Sequence, residues 1–254
     1  MTFADDYRAA LPGGLHLPDA FAAVFDWAEA QGQHGRFSHG DPATFSNRFL
    51  SIYPQEVQNE PGASHVLFRF DTAPVHQPPA EVHDRYATVA RAAGDGGTMG
   101  FWRDDDGRQR IVIFDHGTPY VLTDDPLVAL RFLAIGYPEP AALPDAGLTA
   151  AQAAAAWGAD EPILPDGFRD LLQAEFGVTV PARAADLGIV IPAPDDMSDP
   201  MRRWLADLMP ADDAVQRGLS EDSPLIIDAG TAAIIGPDGI ARLRETFPFI
   251  TVTE

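Results

Sequence analysis

The sequence predicts a mixed protein of amphipathic helices and antiparallel strands. Three observations carry this. Apolar residues recur at helical spacing in Leu17–Gly32 and in Leu164–Gly177. Two strand-like runs flank Asp105-Asp106-Gly107, a strong tight-turn signal. Pro126–Ile135 is a short apolar block with a helix start signal before it and a stop signal after it. At 254 residues and 46 % hydrophobic composition, the chain has the material for a substantial core.

Each element follows in order. Leu17–Gly32 places Leu17, Phe21, Val24, Phe25 and Ala28 on one helical face, with Asp19 near the positive N-terminus and Gly32 as the stop. Residues 32–47 read as a polar loop. Residues 48–57 and 64–74 read as strands, the second alternating Val66, Phe68 and Phe70 inward. Pro79–Ala93 reads as a helix started by proline, ended by Gly94, with Val82, Tyr86, Val89 and Ala93 on its inner face. Thr98–Asp125 reads as a three-stranded antiparallel meander whose last strand, Pro119–Thr123, follows His116-Gly117.

The apolar block comes next. Asp125 is a good N-cap and Pro126 suits the first helical position. Gly136 suits the left-handed position after a helix, Pro138 prevents continuation, and Tyr137 is placed to fold back on Phe132. With apolar residues nearly all round, this helix is expected to be buried on most sides. Leu148–Gly158, Leu164–Gly177 and Asp199–Pro210 read as further helices. Phe168, Leu171, Leu172 and Phe176 point inward from the second, and Asp199 caps the third. Pro237-Asp238-Gly239 between apolar runs suggests a hairpin in the tail. Trp27, Trp102, Trp157 and Trp204 all lie in apolar patterns and read as core residues.

Charge and composition exclude several classes of function. The net charge is −21, from 17 basic and 38 acidic residues, and every basic residue is arginine. Such a surface repels nucleic-acid backbones and anionic membranes and attracts basic partners. No cysteine is present, which removes disulfides, thiolate metal sites and a cysteine nucleophile. The opening MTFADDYRAA has neither a basic region nor an apolar core of a secretory signal, so a cytoplasmic location is expected.

No catalytic motif stands out. The chain lacks a G-x-S-x-G elbow, a phosphate-binding P-loop and an H-E-x-x-H pair. Gly94–Gly100 is glycine-rich, but it reads as following a helix and leading into a strand, the reverse of a phosphate loop. His34, His39 and Asp41 form a trio that matches no closed zinc spacing. Arg103–Arg110 lacks the alternating acids and late glutamate of a calcium loop. No cofactor and no metal site is expected.

The stretch Met99–Glu139 resembles the central part of bacterial SUKH-superfamily proteins, relatives of fungal cell-wall-assembly regulators. The resemblance rests on Gly100-Phe101-Trp102, on Asp124-Asp125-Pro126, and on Phe132-Leu133-Ala134-Ile135-Gly136-Tyr137. Phe168–Pro181, Asp199–Leu205 and the opening helix from Leu17 look like further pieces of the same pattern, in the same order. The resemblance implies an α+β fold, a twisted and mostly antiparallel sheet packed by several helices. It implies a SUKH-like domain over residues 1–212, and residues 213–254 form a hairpin extension expected to pack on that domain. It also implies an immunity protein, one that blocks a cognate toxin domain stoichiometrically rather than by catalysis. A basic, nucleic-acid-targeting toxin fits the acidic charge. The alternatives are a SUKH-fold binding module with a non-toxin partner, and a hydrolase built on the His/Asp residues of the first half. The expected partner surface is a pair of acidic loops at one sheet edge, Asp104, Asp105 and Asp106 with Asp195 and Asp196.

Overall fold

In the computed structural model, residues 2–38, 44–72, 80–115, 118–193, 196–208, 225–228 and 250–253 are described. The chain divides into two compact units, Met1–Arg203 and Trp204–Glu254. The first has an α+β fold built on one seven-stranded antiparallel sheet that follows chain order from edge to edge. Its strands are β1 (His34–Arg36), β2 (Arg48–Ser51), β3 (Leu67–Asp71), β4 (Tyr86–Arg91), β5 (Thr98–Arg103), β6 (Gln109–Asp115) and β7 (Thr118–Thr123). The helices are α1 (Phe3–Ala10), α2 (Asp19–Ala30), α3 (Ala80–Arg85), α4 (Pro126–Leu133), α5 (Ala150–Trp157), α6 (Asp166–Phe176) and α7 (Pro200–Leu208). No helix of the described residues is long and apolar enough to cross a membrane.

The meander forms as its residues direct. Gly107 takes a φ of 78°, Asp104 N donates to Arg108 O, and Gly107 N donates to Asp104 O. This closes β5 against β6 through a three-residue turn with glycine in the left-handed position. Gly100 has a packing reason: a methyl there would overlap the Tyr86 ring, which lies across it from the neighbouring strand.

The apolar helix α4 is the centre of the core. Asp125 Oδ1 accepts from Leu127 N at 2.8 Å, Pro126 sits in the first turn, and Gly136 has a φ of 90°. Ala129, Leu130, Phe132 and Leu133 are buried. Each large side chain so buried contributes about 1.5–3 kcal/mol. Tyr137 returns onto Phe132, with ring centroids 5.9 Å apart. Its hydroxyl donates to Leu148 O at 2.7 Å and accepts from Ala184 N at 2.9 Å, tying α4 to two later loops. Leu17, just before α2, and Phe21, Val24, Phe25 and Ala28 within it are all buried as expected, and Phe21 and Phe25 join Phe3, Tyr7, Phe68 and Phe101 in an aromatic cluster.

Three expectations are corrected. Pro79–Ala93 is not one helix: α3 ends at Arg85 and Tyr86–Arg91 is the central strand β4. Five of its six residues are buried, so it shows no inside–outside alternation, and its apolar spacing mimics a helix by coincidence. The residues 32–47 are not wholly loop, because His34–Arg36 adds a polar edge strand to β2. Trp157 is 37 % exposed and not a core residue. In the second unit, β8 (Leu225–Asp228) and β9 (Ile250–Thr253) pair in parallel; the hairpin expected at Pro237-Asp238-Gly239 lies outside the described residues.

Helix α1 carries no expectation from the sequence reading, although Thr2 and Asp5 form a reciprocal capping box at its start. Phe3 and Tyr7 are fully buried, and Tyr7 Oη donates to Thr88 O at 2.8 Å, where the β4 register shifts.

Candidate functional site

The acidic residues singled out from the sequence are not gathered at one edge. Asp104, Asp105 and Asp106 form the β5–β6 turn, at the end of two internal strands. Asp196 lies near the opposite end of the meander, held through its carbonyl by Arg202, whose Nε reaches Pro119. The two places are separated by the length of β6, seven residues or about 20 Å. Asp195 lies outside the described residues, as do His39 and Asp41 of the trio; His34 sits exposed on β1. Among the described residues no group of three or more His, Asp or Glu is placed to hold a metal ion.

The turn is also matched by arginines. Asp105 pairs with Arg85 at 2.8 Å, Asp106 pairs with Arg108, and Arg110 bridges Asp104 and Asp124 at 3.0 Å each. Burial alone would push the Asp104 carboxyl up. The Arg110 hydrogen bond, the Arg108 backbone N–H and both guanidinium charges outweigh it and hold the carboxyl below the usual range. The signal for this was present, since Arg108 and Arg110 follow the aspartates directly.

A different site emerges at the other end of the meander. A half-open cleft of about 350 Å³ lies between the β6–β7 end, the loop after α4 and the loop before α7. Three parts of the chain build it. Asp115, Thr118 and Tyr120 come from β6 and β7, where Asp115 pairs with Thr118 and Tyr120 with Ile113. Ala141, Leu143 and Pro144 come from the second loop, fixed to the sheet by Ala141 N donating to Ala92 O at 2.9 Å. Ile191, Pro192 and Arg202 close the third side.

Arg202 is the clamp of this site. It is 7 % exposed, and its Nε donates to Pro119 O at 2.8 Å. Its Nη1 donates to Ala193 O and to Asp196 O, the latter at 3.2 Å, and Nη2 reaches Pro192 O at 3.4 Å. Asp199 completes the arrangement: Oδ1 caps α7 through Met201 N and Arg202 N, and Oδ2 accepts from Val121 N at 2.8 Å. The outer edge of β7 is thereby occupied by side chains, which removes a template for strand pairing.

Tyr120 is the exception in an otherwise satisfied region. Its ring is 3 % exposed and lines the cleft, and its hydroxyl is buried with no hydrogen-bond partner. Burial pushes this phenol well above its ordinary value, and the Asp115 charge adds to the shift. Thr118 donates its hydroxyl to Asp115 O at 2.6 Å, leaving its own oxygen as an acceptor. On either side of the third loop's wall, Val190 is 76 % and Met197 49 % exposed, an apolar rim beside a polar cleft. None of this was legible as a motif, because the three parts are spread over residues 115–202 and each looks like an ordinary loop or strand.

Fold and site together define an α+β protein with an open antiparallel sheet, one sealed edge and a small polar cleft beside it. No protein-family model, curated protein or solved structure gives a significant match to the chain.

Proposed function

We propose that the chain is a cytoplasmic immunity protein that neutralises a basic toxin domain by binding it stoichiometrically, without catalysis. The observation that supports this is where the charge goes. Of the 17 basic residues, Arg8, Arg48, Arg69, Arg85, Arg108, Arg110 and Arg183 pair with carboxylates of the same chain. Arg91, Arg131, Arg169 and Arg202 donate to backbone carbonyls. Acids such as Asp19, Asp26, Glu56, Glu60, Asp84, Asp160, Glu161, Asp170 and Glu175 are all exposed, beside fewer exposed arginines such as Arg36 and Arg203. A net charge of −21 displayed this way accelerates encounter with a basic partner and disfavours acidic ones. The sequence resemblance at Met99–Glu139 points to the same class.

The test is co-expression with a toxin domain encoded beside the chain. The proposal expects restored growth and a 1:1 complex whose association rate falls steeply as salt rises. Growth arrest with no complex overturns it. A 1:1 complex with a partner that is harmless to the cell would favour the general binding module instead.

A further inference from the structure

We infer that the outer face of α5, ending on Trp157, is where a basic protein partner docks, laying an apolar patch rimmed by arginine or lysine against it. This rests on the proposed function and places its contact. Among the described helices α5 alone carries no charged residue, in a chain whose net charge is −21. Its Ala150, Ala153 and Ala154 are buried, whereas Ala151, Ala155, Ala156 and Trp157 are exposed. A helix face that meets only water normally carries charged and polar residues, so this one suits a drier contact.

The chain after the helix enlarges the patch. Gly158 has a φ of 67°, Gly158 N donates to Ala155 O and Ala159 N donates to Ala154 O, which ends α5 and turns the backbone. The segment that follows is fastened: Ile163 N donates to Gly62 O at 2.9 Å, and Ile163 O accepts from Tyr53 Oη at 2.7 Å. Trp157 is 37 % and Leu164 41 % exposed, one at each end of this fastened segment. An aromatic anchor on an ordered backbone binds with little ordering cost.

The charge around the patch indicates what covers it. Asp160 and Glu161 lie between Trp157 and Leu164, Asp166 follows, and Glu60 precedes the Gly62 that holds Ile163; all four are exposed. The guanidiniums of the adjoining elements are engaged. Arg169 of α6 donates to Ala134 O, and Arg183, bridged to Thr149 at the start of α5, pairs with Asp186. An apolar centre rimmed by carboxylates repels nucleic acid and acidic proteins and fits a basic protein whose own centre is apolar. A second copy of this chain is the poorer occupant, because it would set like charges against each other.

The experiment uses the full chain, labelled with ¹⁵N and titrated with a synthetic amphipathic peptide, leucine on one helical face and lysine on the other. Hexalysine, which has the charge without the apolar face, and the same peptide with glutamate for lysine serve as comparisons. The expected result is saturable shifts at the amides of Ala155, Trp157, Asp160 and Leu164 with the lysine–leucine peptide, far weaker ones with hexalysine and none with the glutamate peptide. Trp157→Ser should weaken the peptide about tenfold, and Asp160→Lys with Glu161→Lys about as much, in variants whose spectra remain otherwise native. The same charge change at exposed Asp84 should leave the affinity within about twofold. Silence at these amides, shifts confined to other surfaces, equal shifts with either comparison, or full affinity in Trp157→Ser would each overturn the inference. The outcomes separate it from the function proposed above. A toxin complex that forms equally well with wild type and Trp157→Ser removes only this inference; a responsive patch with no toxin complex removes only the function.

Discussion

Two buried tyrosines, 17 positions apart, show how differently the molecule treats its centre and its rim. Tyr137, after α4, is 0 % exposed and its hydroxyl has two backbone partners, Leu148 O and Ala184 N. Tyr120, on β7, is 3 % exposed and its hydroxyl has none. Burial raises the phenol of both. The difference teaches that polar satisfaction is uneven across the fold. Around α4 the tyrosine hydroxyl is satisfied by the backbone, whereas on β7 one is buried without a partner, at a cost the rest of the fold absorbs.

The strongest attempt to break this contrast is Leu130→Asp. Leu130 is fully buried in α4, and an unpaired carboxylate there costs more than about 4 kcal/mol, so the chain should lose its cooperative unfolding transition in far-UV circular dichroism. A folded variant would mean that α4 is not the centre of the core. Tyr137→Phe is the next probe. It strands a part-buried carbonyl and a buried N–H, and chemical denaturation should show a loss of about 1–3 kcal/mol.

A smaller effect tests the fastening of the loop that lines the cleft. His65 Nδ1 lies 2.7 Å from Glu139 Oε1, and Glu139 Oε2 accepts from Gly94 N at 2.6 Å. The Glu139 hydrogen bond raises the His65 imidazole above its ordinary value, despite burial acting the other way. Because the folded value is the higher one, the stabilisation is complete below the unfolded value of about 6.5 and is lost as pH rises through the raised folded value. The pair is half exposed and screened, so the change is a few tenths of a kcal/mol at most. Melting temperatures at pH 6 and pH 8.5 should differ by slightly more in the wild type than in His65→Gln.

The same contrast explains what could be read from the sequence. The helix α4 was legible residue by residue, from the Asp125 cap to the Tyr137–Phe132 contact, because local chemistry and burial agree there. Strand β4 was not legible, since a strand buried on both faces loses the alternation that marks strands. Helix α1 had its capping box in plain view at Thr2 and Asp5, but only eight residues and little apolar pattern. The cleft was nearly invisible. Asp196 pointed to its third loop for the wrong reason, as an acid, when its contribution to the site is a carbonyl for Arg202. The Asp104–Asp106 turn looked like a patch of charge because sequence shows the acids without showing that Arg85, 20 positions before Asp105, returns to pair with one of them.

The most direct test of the central claim is Tyr120→Phe, measured for stability beside Tyr137→Phe. Removing a buried hydroxyl that has no partner should leave the unfolding free energy unchanged or raise it by up to about 1 kcal/mol. A loss of stability comparable with that of Tyr137→Phe would contradict the claim that the two tyrosines are treated differently.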